Sequence, residues 1–252
     1  MSTPVAEWRA TVLEVMMLDD GAMRGSLRFD ADRVRRFTSV EPRVISIHHL
    51  MQPERRRVEA YIERAYAQAF NGKIRRHYPT LMSVQDAAGQ IHGAVGFRQA
   101  ASGALFLEQY LDEPIEAAID RKSGETVCRS SVAEIGSLAS ESAGASLFLF
   151  LALARHLHHK GCTHAAATAT RQLRRSFARV GFATETLTRA DAGRLGEGAA
   201  DWGGYYQRDP EVMVGAIAPA LPALAQMLMA EPPAVPDIHS RLHPAFGPEL
   251  AQ

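Results

Sequence analysis

The sequence predicts an α/β fold in which a mixed sheet is flanked by helices. An apolar helix, residues 147–157, joins two apolar strands, residues 132–139 and 165–170. Strands without polar interruption belong to sheets that are covered on both faces, and a connecting helix places two such strands in parallel. Residues 81–98 read as two strands around a tight turn, which predicts an antiparallel hairpin. Parallel and antiparallel pairs together make the predicted sheet mixed.

Upstream of the hairpin, the sequence predicts a strand, a helix and a less regular segment. Residues 43–48 alternate between side chains of different polarity, as a strand does. A helix follows Pro53 and continues to Phe70, because apolar residues recur at helical spacing, and Asn71 with the next glycine ends it. Residues 12–18 are apolar enough for a short strand or helix.

Downstream of the hairpin, the predicted elements are shorter. They are a short helix with a loop over 106–119, a polar loop over 121–129, a helix from Arg171 to Gly181, a loop with helical turns over 189–204, a strand over 212–217 and an amphipathic helix over 219–229. Five prolines beyond residue 231 argue against packed structure at the C-terminus.

The length of 252 residues suits one well-buried domain with additional ends. No linker rich in proline, glycine or serine divides the middle of the chain. We therefore expect a partly ordered N-terminal extension over 1–42, one domain over 43–218, and a helix with a proline-rich tail over 219–252.

The composition argues against several classes of protein. The formal net charge is zero, which does not suggest a nucleic-acid surface. Two cysteines cannot form a disulfide framework, and they fit a reducing compartment. Residues 1–10 lack the regions of a secretory signal, and the longest apolar run, 147–154, is far shorter than the ~20 residues that span a bilayer. We expect a cytoplasmic protein without a transmembrane segment.

A loop of small residues, 140–146, precedes the apolar helix. Small residues at a helix N-terminus let backbone N–H groups approach an anion such as pyrophosphate, and the helix dipole favours negative charge there. The alternative is a plain connection in which Ser142 or Ser146 caps the helix. Glu141 counts against an anion site, because its carboxylate repels phosphate.

A row of arginines follows on the next helix, at Arg171, Arg174, Arg175 and Arg179. Their spacing places them on or near one face. Guanidinium groups in a row can bind the phosphates of a nucleotide or dock on an acidic carrier protein. The alternative is a solvated helix face.

A group of possible metal ligands lies near the end of the apolar helix. Its members are His156, His158, His159, Cys162 and His164. The spacing matches no zinc motif, since no paired cysteines are present. Cationic side chains are also favoured at helix C-termini. We expect no metal site.

Glu134 is the carboxylate of greatest interest, because it lies within a strand that otherwise reads as buried. An acid in such a position is unfavourable unless it is paired or has a chemical task. The alternatives are an outward-facing strand residue and an ion pair.

Residues 170–182 resemble the last helix of the acyl-thioester site in GNAT acyltransferases, whose pattern is Asn-x-x-Ala-x-x-x-Tyr-x-x-x-Gly-Phe. Gly181 and Phe182 match this pattern, and Phe177 replaces the tyrosine that often serves as general acid. Gly144 matches a glycine of the pyrophosphate loop in the same family. The resemblance implies a GNAT-like fold with a mixed sheet flanked by helices.

The chain also resembles acyl-homoserine-lactone synthases, a branch of the same fold. Residues 134–138 are similar to their Glu-x-Ser-Arg-Phe pattern, with Glu134 in the position of the glutamate. Arg98 lies on the predicted hairpin strand where those enzymes carry an arginine.

Residues from about 43 to 217 are most similar to the thermostable hemolysins. The shared segments are Tyr61-Ile62-Glu63, Ala69-Phe70, residues 106–111, Glu134-Ile135-Gly136, Leu138-Ala139-Ser140, residues 168–170, Ala200-Asp201-Trp202-Gly203, Tyr205-Tyr206 and Asp209-Pro210. This resemblance implies a GNAT-like fold, with a name that comes from a haemolytic phenotype.

Together, these resemblances imply an acyltransferase that moves a fatty acyl group from acyl-CoA or an acyl carrier protein (acyl-ACP) to an amine. Glu134 is the expected general base. The residues expected to hold the donor are Ile135, Leu138, Ala139, Gly144, Ala145, Ser146, Arg171 and Arg174. Those expected near the acceptor are Arg98, Glu108, Trp202 and Tyr205, although an aromatic core would explain the last two nearly as well. The alternatives are a membrane-active haemolytic protein and a non-catalytic domain that binds an acyl ligand or a partner.

Overall fold

The computed structural model describes residues 12–140 and 144–230. Its strands are β1 (Val12–Asp19), β2 (Ala22–Asp30), β3 (Val44–His48), β4 (Thr80–Gln85), β5 (Ile91–Gln99), β6 (Val132–Ser140), β7 (His164–Ala169), β8 (Glu185–Arg189) and β9 (Glu211–Ala216). Its α-helices are α1 (Ala31–Arg35), α2 (Arg55–Phe70), α3 (Ile115–Ser123), α4 (Ala145–His159), α5 (Arg171–Arg179) and α6 (Ile217–Leu228). Short 3₁₀ helices cover Ala100–Ser102, Leu107–Tyr110, Arg129–Ser131, Ala192–Trp202 and Tyr205–Arg208.

The strands form one mixed sheet in the order β2-β1-β3-β4-β5-β6-β7-β9-β8. The predicted hairpin is the antiparallel pair β4–β5, and β6 and β7 are parallel as predicted. Helices cover both faces of the sheet, which is the GNAT-like arrangement expected from the sequence. Helices α4 and α6 pack on one face, and α2 packs on the other.

Helix α4 is almost entirely buried, because it is apolar around most of its circumference. It contributes Phe148, Leu149 and Leu151 to the largest core cluster, each without exposed surface. The turn that ends α2 also has the predicted form, since Asn71 adopts the left-handed conformation.

The N-terminal strands belong to the same sheet as the rest of the chain. Strand β1 pairs in parallel with β3, and β2 pairs with β1 at the edge of the sheet. Phe29 of β2 is fully buried and packs edge to face on Phe148 of α4, with ring centroids 5.0 Å apart. The expected division at residue 43 therefore does not interrupt the sheet. Residues 1–11 and the proline-rich tail from 231 lie outside the described residues.

Strand β8 is absent from the predicted set of elements. It lies at the edge, pairs with β9 alone, and has three exposed residues among its five. Such a strand lacks the apolar pattern of the central strands. The sequence also predicted a polar loop from residue 121, but α3 continues to Ser123 and ends at Gly124, which is left-handed.

The sheet opens between β6 and β7. Their pairing covers Val132 to Ile135, whereas β6 continues to Ser140. Just beyond Ile135, Ser137 has φ +50°, and the register with β5 shifts so that Ser137 and Leu138 have no partner there. A β-bulge of this kind bends its strand and strengthens the local twist. It separates the end of β6 from β7 and leaves a gap that the helices line.

Candidate functional site

A cavity of about 420 Å³ lies at the gap between β6 and β7. Both faces of the sheet contribute to its wall, since α2 lines one side and α4, α5 and α6 line the other. Four residues predicted to hold a donor are part of this wall, namely Ile135, Leu138, Ala139 and Ser146. The structure therefore brings together the strand and the helix start that the sequence singled out.

The bulge contributes backbone polar groups to the cavity wall. Ser137 and Leu138 both line the cavity and lack register partners on β5. Backbone N–H groups that are not used in a sheet ladder can stabilise negative charge that develops on a bound carbonyl. The opposite wall is apolar, with Phe150, Leu153 and Leu157 from α4.

Glu134 lies beside this gap but is not part of the cavity wall. Its side chain is 1% exposed, and its carboxylate accepts hydrogen bonds from Arg98 Nε at 2.8 Å and from the backbone N–H groups of Phe106 at 3.0 Å and Leu107 at 2.8 Å. Of the two alternatives to a chemical role, the ion pair rather than the outward-facing residue describes Glu134. Direct proton transfer from a ligand in the cavity has no geometric support, because the carboxylate is enclosed by these donors.

Tyr78 is a further contact of Glu134 that the sequence did not indicate. Burial, and after it the nearby Glu134 carboxylate with which its hydroxyl interacts, raise the pKa of Tyr78 well above its ordinary value. The ring lies over β5 and β6, where a Cβ on Gly96 would come 2.7 Å from a ring carbon and one on Gly136 would overlap the hydroxyl. Two glycines within apolar strands were the available signal for an aromatic ring packed on the sheet.

Arg171 and Arg174, which we predicted to hold the donor, are not part of the cavity wall. Arg171 approaches Asp209 at 3.7 Å, and Arg174 forms an ion pair with Glu211. Both acids precede or begin β9, so the basic face of α5 packs towards that strand. The cavity receives the other face of α5, with Leu173, Ser176 and Phe177.

The start of α4 is only partly as predicted. Ser146 lies in the first turn and lines the cavity, and Ala145 is buried. Gly144 is the N-cap without a side-chain hydrogen bond, and a Cβ there would overlap Thr38. Close packing of the N-terminal segment therefore explains the glycine without a ligand. Residues 141–143 of the predicted anion loop lie outside the described residues.

Glu108, which we expected near the acceptor, belongs to a partly buried ionic network. It forms two hydrogen bonds with Arg129 and accepts others from the backbone N–H groups of Leu105 and Ile115. Burial alone would raise its pKa, but the hydrogen bonds from Arg129 and the two amides outweigh burial and lower it to about 2. Arg98, also expected near the acceptor, is the ion-pair partner of Glu134.

Trp202 and Tyr205 have different surroundings. Trp202 packs against the rings of Tyr66, Phe106, Tyr205 and Tyr206, with centroids 5.3 to 6.4 Å apart, and is not part of the cavity wall. Tyr205 does line the cavity, and its hydroxyl donates to the Thr168 carbonyl oxygen at 2.9 Å. The aromatic-core alternative describes Trp202, whereas Tyr205 is available to a ligand.

Within the described part of the chain, the histidines at the end of α4, Cys162 and His164 are not grouped with close ligand atoms. Among the described residues, such a cluster occurs at Asp19, Asp20 and His49, whose ligand atoms lie within 4.8 Å of one another. His49 pairs with Asp19 at 2.9 Å, and Asp20 accepts a hydrogen bond from Gln52. Contacts within the protein explain this cluster, which lies outside the cavity wall.

Residues 48–221 match the sequence model of the family described as thermostable hemolysin. The chain belongs to the thermostable hemolysin family. No curated protein matches the chain. Within the described residues, no helix has the length and hydrophobicity needed to cross a membrane.

Solved structures with this fold include enzymes that act on acyl groups. The AHL synthase LasI has 14% identity and a TM-score of 0.51, with 75% of this chain and 97% of LasI covered. TofI in an apo form has 15% identity and a TM-score of 0.51, with 71% and 95% covered. BjaI, a CoA-dependent acyl-homoserine lactone synthase with SAM and isopentyl-CoA, has 12% identity and a TM-score of 0.50, with 72% and 87% covered. At these identities the likeness establishes a shared fold.

Proposed function

We propose that this protein is an acyltransferase that moves a fatty acyl group from an acyl thioester to an amine. The observation that carries the proposal is the largely apolar cavity at the gap between β6 and β7, with a strand bulge in its wall. A volume of about 420 Å³ lies within the range of about 300–1,000 Å³ typical of small-molecule sites. The combination suits a ligand with a long apolar part and one polarised carbonyl.

The bulge and α4 would contact different parts of the donor. The apolar chain would lie against Phe150, Leu153 and Leu157, where contact with water is lost. The carbonyl would lie beside Ser137 and Leu138, whose backbone N–H groups can stabilise its oxygen as negative charge develops. The thiol-bearing arm would leave towards Ser146, at the positive end of the α4 dipole. BjaI has been solved with isopentyl-CoA, which supports a thioester as ligand in this fold.

In this proposal, Glu134 acts by positioning. Its carboxylate holds Arg98 and the backbone of Phe106 and Leu107, and it lies two residues before Gly136, where the Tyr78 ring packs. These contacts fix β6 immediately before the bulge. Rigid support of this kind keeps the bulge amides aimed at one point, and a preorganised donor needs no rearrangement during the reaction. The acceptor amine would provide its own nucleophilic nitrogen.

A non-catalytic role in acyl-ligand binding is the second candidate. Phe177 stands where GNAT enzymes often carry a tyrosine, and it lines the cavity without a hydroxyl. A third candidate is direct membrane activity, because Leu50 and Met51 are 63% and 96% exposed at one loop. Leakage of dye-loaded vesicles by the protein alone, removed by Leu50→Ser with Met51→Ser, would favour that candidate.

Mass spectrometry under native conditions tests donor binding. We expect the protein to form a complex with decanoyl-CoA or with decanoyl acyl carrier protein. Ala154 lines the cavity, so Ala154→Phe should fill it and abolish the complex. Ala178→Phe is the matched control, because Ala178 is an exposed residue of α5 outside the wall. Absence of a complex with every donor would contradict the proposal.

Turnover distinguishes the enzyme from the binder. The protein is mixed with the bound donor and a panel of amines, and free thiol and amide are measured together. Equal amounts of thiol and amide over many turnovers are expected of an acyltransferase. Binding of donor without amide, for every amine in the panel, would favour the non-catalytic alternative.

A further inference from the structure

Tyr66 of α2 lines the cavity, and its hydroxyl has no protein partner among the described residues. The residue is 8% exposed and belongs to the cavity wall. Its hydroxyl forms no hydrogen bond with any residue in 12–140 or 144–230. Three other aromatic hydroxyls nearby are engaged, since Tyr205 donates to Thr168, Tyr78 interacts with Glu134, and Tyr110 bonds to Tyr206.

An unpaired hydroxyl in such a place is unusual. Tyrosine hydroxyls in largely buried residues normally find a hydrogen-bond partner. The Tyr66 oxygen is not one of the fully enclosed, unpaired polar atoms of the described residues, so it keeps accessible surface that a ligand can reach. A ligand in the cavity that carries an acceptor atom would provide the missing partner. Since no described residue provides an acceptor for this hydroxyl, the acceptor has to belong to the ligand or to water in the cavity.

Tyr66 also has a suitable position relative to the bulge. It packs in the same buried cluster as Ala94 of β5 and Ala139 of β6, the pair that flanks the register shift. Ser137 and Leu138 line the same cavity from β6. Tyr66 and the two bulge residues therefore line one cavity from different elements, which is the arrangement that two donors to one oxygen require.

The chemical state of Tyr66 fits a neutral donor. Burial raises its pKa above the ordinary value, so the phenol keeps its proton at every pH at which the protein works. In turn, Tyr66 contributes to the raised pKa values of Tyr78 and Tyr205, after burial. A hydroxyl that keeps its proton can donate a hydrogen bond but cannot serve as a base.

We propose that the Tyr66 hydroxyl donates a hydrogen bond to the carbonyl oxygen of a thioester bound in the cavity. This inference rests on the proposed function. During transfer, the amine nitrogen attacks the carbonyl carbon, and the carbonyl π electrons move to the oxygen that Tyr66 holds. The C–N bond forms, the C–S bond breaks, and one amine proton ends on the sulfur. Tyr66 retains its own proton throughout.

A pair of ligands that differ only in the carbonyl tests this contact. Decanoyl-CoA has the thioester carbonyl, and S-decyl-CoA replaces it with a methylene. The dissociation constants of both are measured by calorimetry for the wild type, for Tyr66→Phe and for Tyr61→Phe. Tyr61 is the matched control because it is buried on the same helix and lies outside the cavity wall.

We expect the wild type to prefer the thioester, and Tyr66→Phe to reduce this preference roughly threefold to tenfold, which is the size of one net hydrogen bond. Tyr61→Phe should keep the preference. The infrared stretch of a ¹³C-labelled carbonyl should lie lower in the wild-type complex than in the Tyr66→Phe complex. This second measurement separates a lost hydrogen bond from a general loss of affinity.

Two results overturn the inference while leaving the proposed function in place. One is an unchanged thioester preference and carbonyl stretch in Tyr66→Phe, and the other is an equal loss of affinity for both ligands. If the wild type binds neither ligand, at decanoyl or at other chain lengths, the proposed function itself fails and this inference fails with it.

Discussion

Replacement of Glu134 by glutamine is the sharpest test of how β6 is held. The carboxylate accepts two hydrogen bonds at Oε2, from Arg98 and Phe106, and one at Oε1, from Leu107. If the glutamine oxygen takes the place of Oε2, its NH₂ group must face the N–H of Leu107. That amide loses its acceptor, and Arg98 loses its counter-charge.

The size of the effect follows from burial. An unsatisfied buried donor costs about 1–3 kcal/mol, and breaking a buried ion pair from one side costs about 3–5 kcal/mol. Arg98 is 27% exposed, so water compensates part of its loss. We therefore expect Glu134→Gln to lower the free energy of unfolding by about 3 kcal/mol, out of about 5–15 kcal/mol for a typical domain.

Chemical unfolding in urea, followed by circular dichroism, measures this change. Glu197→Gln makes the same chemical change at an exposed position without an ion pair to any described residue, and should shift the free energy by less than 0.5 kcal/mol, as surface changes usually do. A loss below about 1 kcal/mol for Glu134→Gln would refute the reasoning. The penalty should also shrink in an Arg98→Met background, because no guanidinium is then left unpaired.

Three further predictions follow from the same geometry. Gly136→Ala should lower the melting temperature, with a loss of about 1–3 kcal/mol from overpacking against Tyr78, whereas Gly198→Ala, which meets nothing within 4 Å, should not. Glu108 has a folded pKa of about 2 against 4.5 for the free side chain, so its contribution is full above pH 4.5 and is lost as pH falls towards 2; Glu108→Gln should flatten the acid limb of a stability–pH curve. Arg174→Met should weaken the fold and leave the dissociation constant of decanoyl-CoA unchanged, since its guanidinium pairs with Glu211; a weaker complex would restore the donor-binding role.

The central elements were predictable because their sequence periodicity has one physical meaning. An apolar helix between two apolar strands has to be buried on a sheet, and β6, α4 and β7 satisfy that requirement. Strand β8 satisfies no such rule, because an exposed edge strand needs only backbone partners. Its polar residues therefore gave no signal.

The site was predictable in place but not in orientation. Ile135 and Ser146, which we predicted to hold the donor, both line the cavity, since strand and helix start are adjacent in any such connection. Their contact with a donor stays a prediction. The bulge at Ser137 was not predictable, because a serine with positive φ carries no sequence signature comparable to glycine. The direction of the Arg174 side chain depends on its ion pair with Glu211. Glu211 lies far along the chain, so this contact arises only from tertiary packing.

The antiparallel pair of β1 and β2 has a consequence for synthesis of the chain. Strands β1 and β2 leave the ribosome early, and their apolar side includes Val15 and Phe29, both fully buried in the finished protein. The ring that covers Phe29 belongs to Phe148, which is made roughly 6–24 s later at about 5–20 residues per second. During that interval the hairpin presents an uncovered apolar face and an open strand edge. An exposed strand edge of this kind can pair with other chains, so the hairpin is a site of aggregation risk until α4 is made.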